Sequence, residues 1–424
     1  ADRFAGRGGT GDRPIMQGFL DNLIRGWGYD PATWPWTQFV YVGFMGLFSF
    51  IVINFAAISG GIFSWAERRI AARMQSRVGP NRVGPGGFLQ WIADAVKLLF
   101  KEDLIPDKAD QVLFRAAPYF MMVGFCCVFV ALPFSHSLII ADMNIGIFYI
   151  LAVTALIVVG IIMSGWSSNS KWSLFGAIRS AAQIISYEIP AGMALMIPVM
   201  LAGTLSTQGI IRAQGGFPWQ WYLFDNPAAF AAFVIYFISA LAEGNRTPFD
   251  LPEAESELVS GYNTEYSGMR FSYFFLVEWG NMWVMSALAT TMFLGGWQIP
   301  GVSAETLDAA TGGSAVALEL LSLAIFVAKT LFWVFVVMWL RWTLPRIRVD
   351  QMMNMCWKYL VPMSFAAVAF VGGWMLVVHA VPALGLVMRA IMFVLGAAFA
   401  VFFVYRTAQN IRDTGDKFDF TSNW

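Results

Sequence analysis

Acidic side chains are concentrated in one short stretch, AEGNRTPFDLPEAESELVSGYNTEY, at residues 242–266. The stretch has one basic residue, Arg246, and six carboxylates: Glu243, Asp250, Glu253, Glu255, Glu257 and Glu265. Only 13% of the chain is charged and 58% is apolar, so this density of acid requires an explanation. Carboxylates that interact closely titrate as one group, and their repulsion makes such a loop sensitive to one added or removed charge. The pattern indicates proton chemistry.

Three more carboxylates, Glu188, Glu278 and Glu319, lie within apolar runs. An ionisable group in hydrocarbon is costly and is a functional candidate by default. Lys329, a base in the same run as Glu319, can neutralise at most one of the three, and ten residues of helix separate it from Glu319, about 15 Å. We expect Glu188 and Glu278 to be unpaired and to hold and release protons. The alternative is that they are structural acids paired inside the protein.

The elements that must position these acids cross a membrane. The mean hydropathy of +0.61 and the 18 Trp residues exceed what a soluble core needs. Runs that are uncharged or nearly so fall at 39–65, 116–141, 143–170, 180–211, 226–242, 271–299, 314–340 and 359–405. The last run is long enough for two spanning helices, joined by a turn at Val381-Pro382-Ala383. The predicted fold class is an all-α polytopic membrane protein with about nine transmembrane helices.

Lys and Arg residues set the orientation, because cytoplasmic loops carry an excess of them. The loop at residues 67–115 holds nine, whereas the loop after the fourth run holds only Arg212. The N-terminus is therefore predicted outside and the C-terminus in the cytoplasm, with the acidic stretch on the cytoplasmic side. We expect three parts: a periplasmic arm at 1–37 with a short helix near Gln17–Arg25, a membrane domain at 38–380, and an extra helix and tail at 381–424.

The remaining composition argues against other classes of function. The net charge is zero, so no nucleic acid partner is implied. The three Cys residues have no metal or disulfide spacing, and we find no glycine-rich phosphate loop. We therefore expect no metal and no cofactor bound by this chain itself.

The first cytoplasmic loop contains a predicted surface helix. The repeated Val-Gly-Pro at 78–80 and 83–85 interrupts any continuous helix. From Phe88 onward, one polar stripe recurs at helical spacing, formed by Gln90, Asp94, Lys97 and Lys101. The pattern is typical of an amphipathic helix at a membrane surface. It is either a simple anchor or the frame of an opening for a lipid-like ligand.

The acidic stretch also has a structural interpretation. Thr247-Pro248-Phe249-Asp250 resembles the start of a helix with proline at its first position. Acids in a first turn favour the helix dipole, which would explain Asp250 and Glu253. It would not explain the other acids of the stretch.

Several segments together resemble one family. They are AERRIAARMQSRVGPNRVGPGG, ADAVKLLFKED, ISYEIP, AEGNRTPFDLPEAESELVSGYNTEYSGMRF and RWTLPRIRVDQMMNMCWKYLVP. They resemble the quinone-site membrane subunit of respiratory complex I, the proton-pumping NADH:quinone oxidoreductase, from about residue 38 to 380. The resemblance implies a subunit in the bacterial inner membrane, at the junction of the membrane and peripheral arms. Ubiquinone would be the substrate, membrane lipids and the other complex I subunits the partners, and flavin and iron–sulfur clusters would lie in those subunits.

The resemblance also implies roles for individual residues. The residues matching the quinone tunnel are Glu67, Arg68, Arg77, Asp94, Lys97, Phe271, Phe274, Phe275, Arg341 and Arg346. Those matching the acids that couple quinone reduction to proton translocation are Tyr187, Glu188, Glu243, Asp250, Glu253, Glu255, Glu257, Glu265 and Glu278. No redox activity is expected from this chain alone.

Two other functions fit part of the pattern. The equivalent membrane component of a membrane-bound hydrogenase-type complex would share the fold and many of the acids. A stand-alone ion transporter using Glu188 and Glu278 is the second alternative, although such folds usually show internal repeats and we see none here.

Overall fold

The computed structural model of the chain describes residues 20–21, 24–25, 30, 32, 36–251, 258–303, 306–307 and 313–415. Three of the candidate acids, Glu253, Glu255 and Glu257, lie outside these residues. Of the predicted helix near Gln17–Arg25, residues 20–21 and 24–25 are described, and they are helical.

Helices make up nearly all of the described chain, in which no strand occurs. In chain order they are α1 (Thr37–Met74), α2 (Gln90–Phe100), α3 (Gln111–Val128), α4 (Gly146–Ser167), α5 (Lys171–Ala202), α6 (Thr207–Ala213), α7 (Pro227–Glu243), α8 (Gly268–Phe293), α9 (Gly313–Thr343), α10 (Val349–Asn354), α11 (Val361–Ala380) and α12 (Pro382–Gly415). One π-helical turn, Met355–Leu360, joins α10 to α11.

Seven stretches of helix in the described chain are long and apolar enough to cross a membrane: α1, α3, α4, α5, α9, α10 continued into α11, and α12. The remaining two predicted spans are also helical. The helix α7 is shorter, at 17 residues, and α8 has 26 residues, most of which are buried. The prediction of an all-α membrane protein is confirmed, while the number of crossings and their direction stay predictions.

The core forms around α8, which packs against α1, α3, α7 and α9. Close approach to α3 depends on Gly280, since a Cβ atom there would lie 2.2 Å from the Phe125 ring. Small residues allow helices in a membrane to approach in this way. This packing brings together the parts of α1, α8 and α9 that carry Glu67, Glu278 and Arg341.

Two further predictions from the sequence, the turn near Val381 and the surface helix in the first loop, agree with the structure. The helices α11 and α12 are separated by Val381 alone, as the predicted turn requires. The surface helix α2 begins at Gln90, and none of its residues is buried. Its exposed apolar side chains include Leu99 and Phe100, as expected for a helix in contact with a membrane surface.

The predicted helix start at Thr247 is wrong. Residues 247–251 are not helical, and their backbone is held by distant parts of the chain. The side chain of Gln183 donates to the carbonyl oxygens of Ala242 at 2.7 Å and Phe249 at 2.9 Å. The backbone N–H of Ile347 donates to the Pro248 carbonyl at 3.2 Å. Tertiary hydrogen bonds therefore override the local capping signal.

Candidate functional site

Two carboxylates and two guanidinium groups meet inside the protein. The Nη1 atom of Arg341 lies 2.7 Å from Oε1 of Glu67. The Nη1 atom of Arg246 lies 3.6 Å from Oε2 of Glu67 and 3.4 Å from Oε1 of Glu278. The two positive and two negative charges balance, as buried charges must. We call Glu67, Arg246, Glu278 and Arg341 the charge cluster.

Arg246 is the centre of the charge cluster and has no exposed surface. It follows the end of α7, Glu67 lies on α1 and Glu278 on α8. Its guanidinium carbon lies 4.7 Å from the centre of the Trp279 ring, and that of Arg341 lies 5.7 Å from the same ring, both within cation–π range. Among the described residues, Nε, Nη1 and Nη2 of Arg246 make no hydrogen bond. Its contacts with the carboxylates are therefore ion pairs longer than hydrogen bonds.

Asp250, in the same stretch as Arg246, adds a further ion pair beside the charge cluster. Its Oδ2 atom accepts a hydrogen bond from Nη2 of Arg346 at 3.2 Å. Burial raises the pKa of Asp250, and the nearby charge of Glu278 raises it further, against the opposing effects of Arg341, Arg346 and Arg246. Asp250 therefore responds to the charge of three members of the charge cluster.

A second pair of carboxylates lies on α5 and α7. Glu188 on α5 is close enough to Glu243, at the end of α7, for their charges to repel. Glu243 also lines a small cavity together with Tyr236 and Asn281. The cavity offers about 20 Å³ to the centre of a water molecule, enough for roughly one water. A water at this position could carry a proton to or from Glu243.

Tyr187 precedes Glu188 and is fully buried. Its hydroxyl donates to the Met352 carbonyl at 2.9 Å, and its ring centre lies 5.5 Å from that of Phe249. It therefore links α5 both to α10 and to the segment that carries Asp250.

The candidate residues of the first loop lie near the surface. Nη2 of Arg68 is 2.6 Å from Oδ2 of Asp94, and the other carboxylate oxygen of Asp94 accepts from Gln90 at 3.2 Å. This pair fastens α2 to the end of α1. Arg77 and Lys97 are exposed, and Nε of Arg77 donates to the Gln75 side chain at 2.6 Å.

The three candidate phenylalanines on α8 separate into two groups. The rings of Phe271 and Phe275 are partly buried and lie 4.6 Å apart. Phe274 is buried in the core, 4.8 Å from the ring of Tyr266 and 5.6 Å from that of Tyr262. Phe271 and Phe275 therefore share one face of α8, and Phe274 packs on another.

The end of the acidic stretch is partly buried. Glu265 has intermediate exposure, and the neighbouring Tyr266 donates to the Phe114 carbonyl at 3.1 Å. Burial raises the pKa of Tyr266 to about 12, so its hydroxyl keeps its proton at neutral pH. An interaction of Glu265 with Glu255 and Glu257 stays a prediction, because the latter two lie outside the described residues.

The expectation that Glu278 is unpaired is wrong, because Arg246 lies beside it. One signal in the sequence could have indicated this partner. Arg246 is the single base of the acidic stretch, but the sequence pattern gave it no role. The partners of Lys329 and Glu319 were also missed. Lys329 donates to the carbonyls of Leu294 at 2.9 Å and Gly296 at 3.0 Å, and Glu319 accepts from the hydroxyl of Ser135.

Within the described part of the chain, no group of three or more His, Cys, Asp or Glu side chains could hold a metal ion. The three cysteines are free, and Cys356 is buried. The expectation that this chain binds no cofactor itself stays a prediction.

The fold and the charge cluster define a class of protein: a multi-pass membrane protein that buries paired ionisable groups between its helices. Comparison with known proteins identifies the family. A family model described as NADH dehydrogenase matches residues 47–372. The chain belongs to this family, as a membrane subunit of NADH-quinone oxidoreductase, which is complex I.

Three relatives illustrate the similarity. An NADH-quinone oxidoreductase subunit of Anaeromyxobacter dehalogenans (strain 2CP-C) is 57% identical over 96% of this chain and 100% of its own length. The subunit of the same name from Chlorobaculum parvum is 49% identical over 77% of this chain and 90% of its own. NADH-quinone oxidoreductase subunit 8 of Rhodothermus marinus is 44% identical over 77% and 95%, respectively. The family favours complex I over the hydrogenase-type complex and the stand-alone transporter.

Proposed function

We propose that this subunit forms part of the quinone entry tunnel and couples quinone reduction to proton translocation through its buried carboxylates. Ubiquinone is the proposed substrate, and the redox centres belong to other subunits of the complex. The membrane domain at residues 38–380 does this work. The proposed orientation places the loop at 67–115 and the acidic stretch on the cytoplasmic side, against the peripheral arm.

The observation that carries the proposal is the position of Arg246 between Glu67 and Glu278. Glu67 and Arg341 are proposed tunnel residues, whereas Glu278 is a proposed coupling acid. Arg246 contacts the carboxylates of both groups. A change of charge on the tunnel side therefore acts directly on an acid at the coupling side.

The long contacts of Arg246 with Glu67 and Glu278 make the charge cluster sensitive to an added charge. Buried ion pairs at hydrogen-bond distance are stable only while each partner stays charged. The contacts of Arg246 at 3.4 and 3.6 Å are longer than charge-assisted hydrogen bonds, which span about 2.7–2.9 Å. A proton or an electron added nearby would shift the guanidinium from one carboxylate toward the other.

The onward route into the membrane is the pair Glu188 and Glu243. Repulsion between these two acids means that protonation of one favours ionisation of the other. Asp250 and Glu265 are proposed to join the charge cluster to the acids at 253, 255 and 257. In the other direction, α2 with Arg68, Asp94 and Lys97 frames the proposed tunnel mouth, and Phe271 and Phe275 offer it an aromatic wall.

The experiment compares two buried acids in the assembled complex. Glu278→Gln removes a charge beside Arg246, whereas Glu319→Gln removes one that faces Ser135 and lies outside the charge cluster. Quinone-linked NADH oxidation and proton uptake are measured in membranes and normalised to assembled complex. We expect both activities to fall together in Glu278→Gln and to survive in Glu319→Gln. Electron transfer to an artificial acceptor that reacts at the flavin should survive in both.

A purely structural charge cluster predicts another result. Glu278→Gln would then reduce the amount of assembled complex, with normal activity per complex. That outcome would refute the proposed coupling role.

A further inference from the structure

A polar cavity opens beside the first turns of α12, among the connections between α5 and α7. Its volume is about 250 Å³, far more than one water molecule requires. Its lining is formed by Ala213, Gln214, Gly215, Gln220, Tyr222 and Arg389. No residue of the charge cluster lines it, so the cavity does not belong to the site described above.

Arg389 brings a charge to this cavity, and Asp225 balances it. Nε of Arg389 lies 3.1 Å from Oδ1 of Asp225, and Nη2 donates to the same oxygen. Oδ2 of Asp225 accepts from the Asn226 side chain at 3.2 Å. Among the described residues, Nη1 of Arg389 makes no hydrogen bond, so this edge of the guanidinium is available to another acceptor.

Two further donors line the same cavity. Tyr222 is 6% exposed, and within the described chain its hydroxyl makes no hydrogen bond. Burial raises its pKa well above the ordinary value, Asp225 adds to this effect and Arg389 opposes it, so the hydroxyl stays protonated at neutral pH. The Oε1 atom of Gln220 accepts from the Phe217 backbone at 3.4 Å, which leaves its amide nitrogen to donate.

Apolar surface adjoins the polar cavity. The spanning part of α12 has no buried residue, and Val394, Leu395 and Phe399 on it are exposed. Trp219 is 45% exposed and packs against Phe393 with ring centres 5.9 Å apart. Tryptophan is enriched where a membrane meets water, which favours a position of the cavity at the depth of lipid headgroups.

We propose that this cavity binds a phospholipid with a zwitterionic phosphoethanolamine headgroup. Its phosphate accepts from Arg389, Tyr222 and Gln220, its ammonium group contacts Asp225, and its acyl chains lie along α12. The charges of Arg389 and Asp225 cancel, so the site matches a headgroup whose own charges cancel. An anionic headgroup would bring a charge that the site leaves uncompensated.

Native mass spectrometry of the assembled complex tests the site. The complex is purified in detergent with equal amounts of phosphatidylethanolamine and phosphatidylglycerol, and the retained lipids are counted. Tyr222→Phe removes one donor and keeps the Arg389–Asp225 pair, and Arg389→Gln removes the charge. Both should retain roughly tenfold less phosphatidylethanolamine at one site, the effect of losing a hydrogen bond to a charged group. Arg406→Gln, near the other end of α12, is the matched control and should retain the wild-type amount.

Asp225→Asn tests the selectivity. It leaves Arg389 without its counter-charge, so retention should change from phosphatidylethanolamine to phosphatidylglycerol. Normal retention in Tyr222→Phe would overturn the proposal, even if Arg389→Gln loses lipid by releasing α12. Unchanged lipid preference in Asp225→Asn, or no retained phosphatidylethanolamine in the wild-type complex, would overturn it as well.

Discussion

The guanidinium of Arg341 and the carboxylate of Glu67 form a 2.7 Å ion pair, although they lie near opposite ends of the membrane domain in the sequence. Glu67 is 2% exposed, whereas the Arg341 side chain is 24% exposed. The pair therefore joins the interior of the membrane domain to its surface. Arg246 continues this connection inward.

Removing Arg246 should destabilise the protein more than removing an exposed arginine. Arg246→Ala leaves Glu67 and Glu278 buried beside one remaining guanidinium, and breaking a buried ion pair in this way costs about 3–5 kcal/mol. We expect a lower melting temperature and less assembled complex on a native gel. Arg73→Ala, which changes an exposed residue of α1, should have little effect. Equal assembly of both variants would show that the charge cluster does not stabilise the fold.

Loss of titration at Glu188 should stop coupling without unfolding the protein. In Glu188→Gln, and in Glu257→Gln on the acidic stretch, quinone-linked turnover and proton pumping should fall together by roughly a hundredfold, the lower range for a positioned acid or base. Aspartate at either position still ionises and should retain more activity than glutamine. Rates are normalised to assembled complex. Full activity in both glutamine variants would mean that the acidic stretch is only a solvated loop.

Asp250 should make stability depend on pH. Its pKa is raised in the folded protein by burial and by Glu278, above an ordinary value of about 3.9. Its contribution to stability is therefore fully present below the ordinary value and is lost as pH rises through the folded pKa.

The measurement is the melting temperature of the complex from about pH 4 to pH 7. With rising pH, the wild-type protein should lose stability relative to Asp250→Asn, which cannot titrate. The control variant Asp107→Asn changes an exposed residue of the same charge and should show no such trend. A constant difference between wild type and Asp250→Asn would contradict the assigned burial effect.

Arg77 should affect the quinone reaction alone. It is exposed just after the end of α1, where its positive charge and donors would act near the proposed quinone path. In Arg77→Ala we expect slower quinone-dependent turnover, with normal electron transfer to an acceptor that reacts at the flavin. Lys108→Ala, in the same loop, serves as the control. If both activities of Arg77→Ala fall equally in an intact complex, Arg77 does not act at the quinone path.

The direction of insertion can be tested by labelling. Gln214 would be the natural position on the segment between α5 and α7, but it is buried. Its exposed neighbour Ala213, the last residue of α6, is the better choice. In a cysteine-free background, Ala213→Cys should react with a membrane-impermeant reagent only from the periplasm. Val78→Cys, exposed in the first loop, should react only from the cytoplasm. The reverse pattern would invert the proposed orientation.

Hydropathy alone predicted the long apolar helices, because a membrane admits few alternatives to a continuous apolar helix. Hydropathy could not predict which buried charges form ion pairs with one another. Glu67, Arg246 and Glu278 belong to three separate parts of the chain, and only the packing of α1, α7 and α8 brings them together. The helix start at Thr247 failed for a related reason, since the bonds from Gln183 and Ile347 come from elsewhere in the fold. Local sequence predicts an element well where its conformation depends on contact with solvent or lipid, and poorly where it depends on tertiary contacts.

The balance of charge in the charge cluster determines how far its electrostatic field reaches. Two positive and two negative groups produce a field that decays quickly with distance. The intact charge cluster therefore has almost no electrostatic effect beyond its own neighbours. One added proton turns the set into a monopole. At an effective dielectric constant near 20, a unit charge still contributes about 1.7 kcal/mol at about 10 Å. A single proton thus lengthens the range of the electrostatic field, which then reaches helices that do not contact the charge cluster.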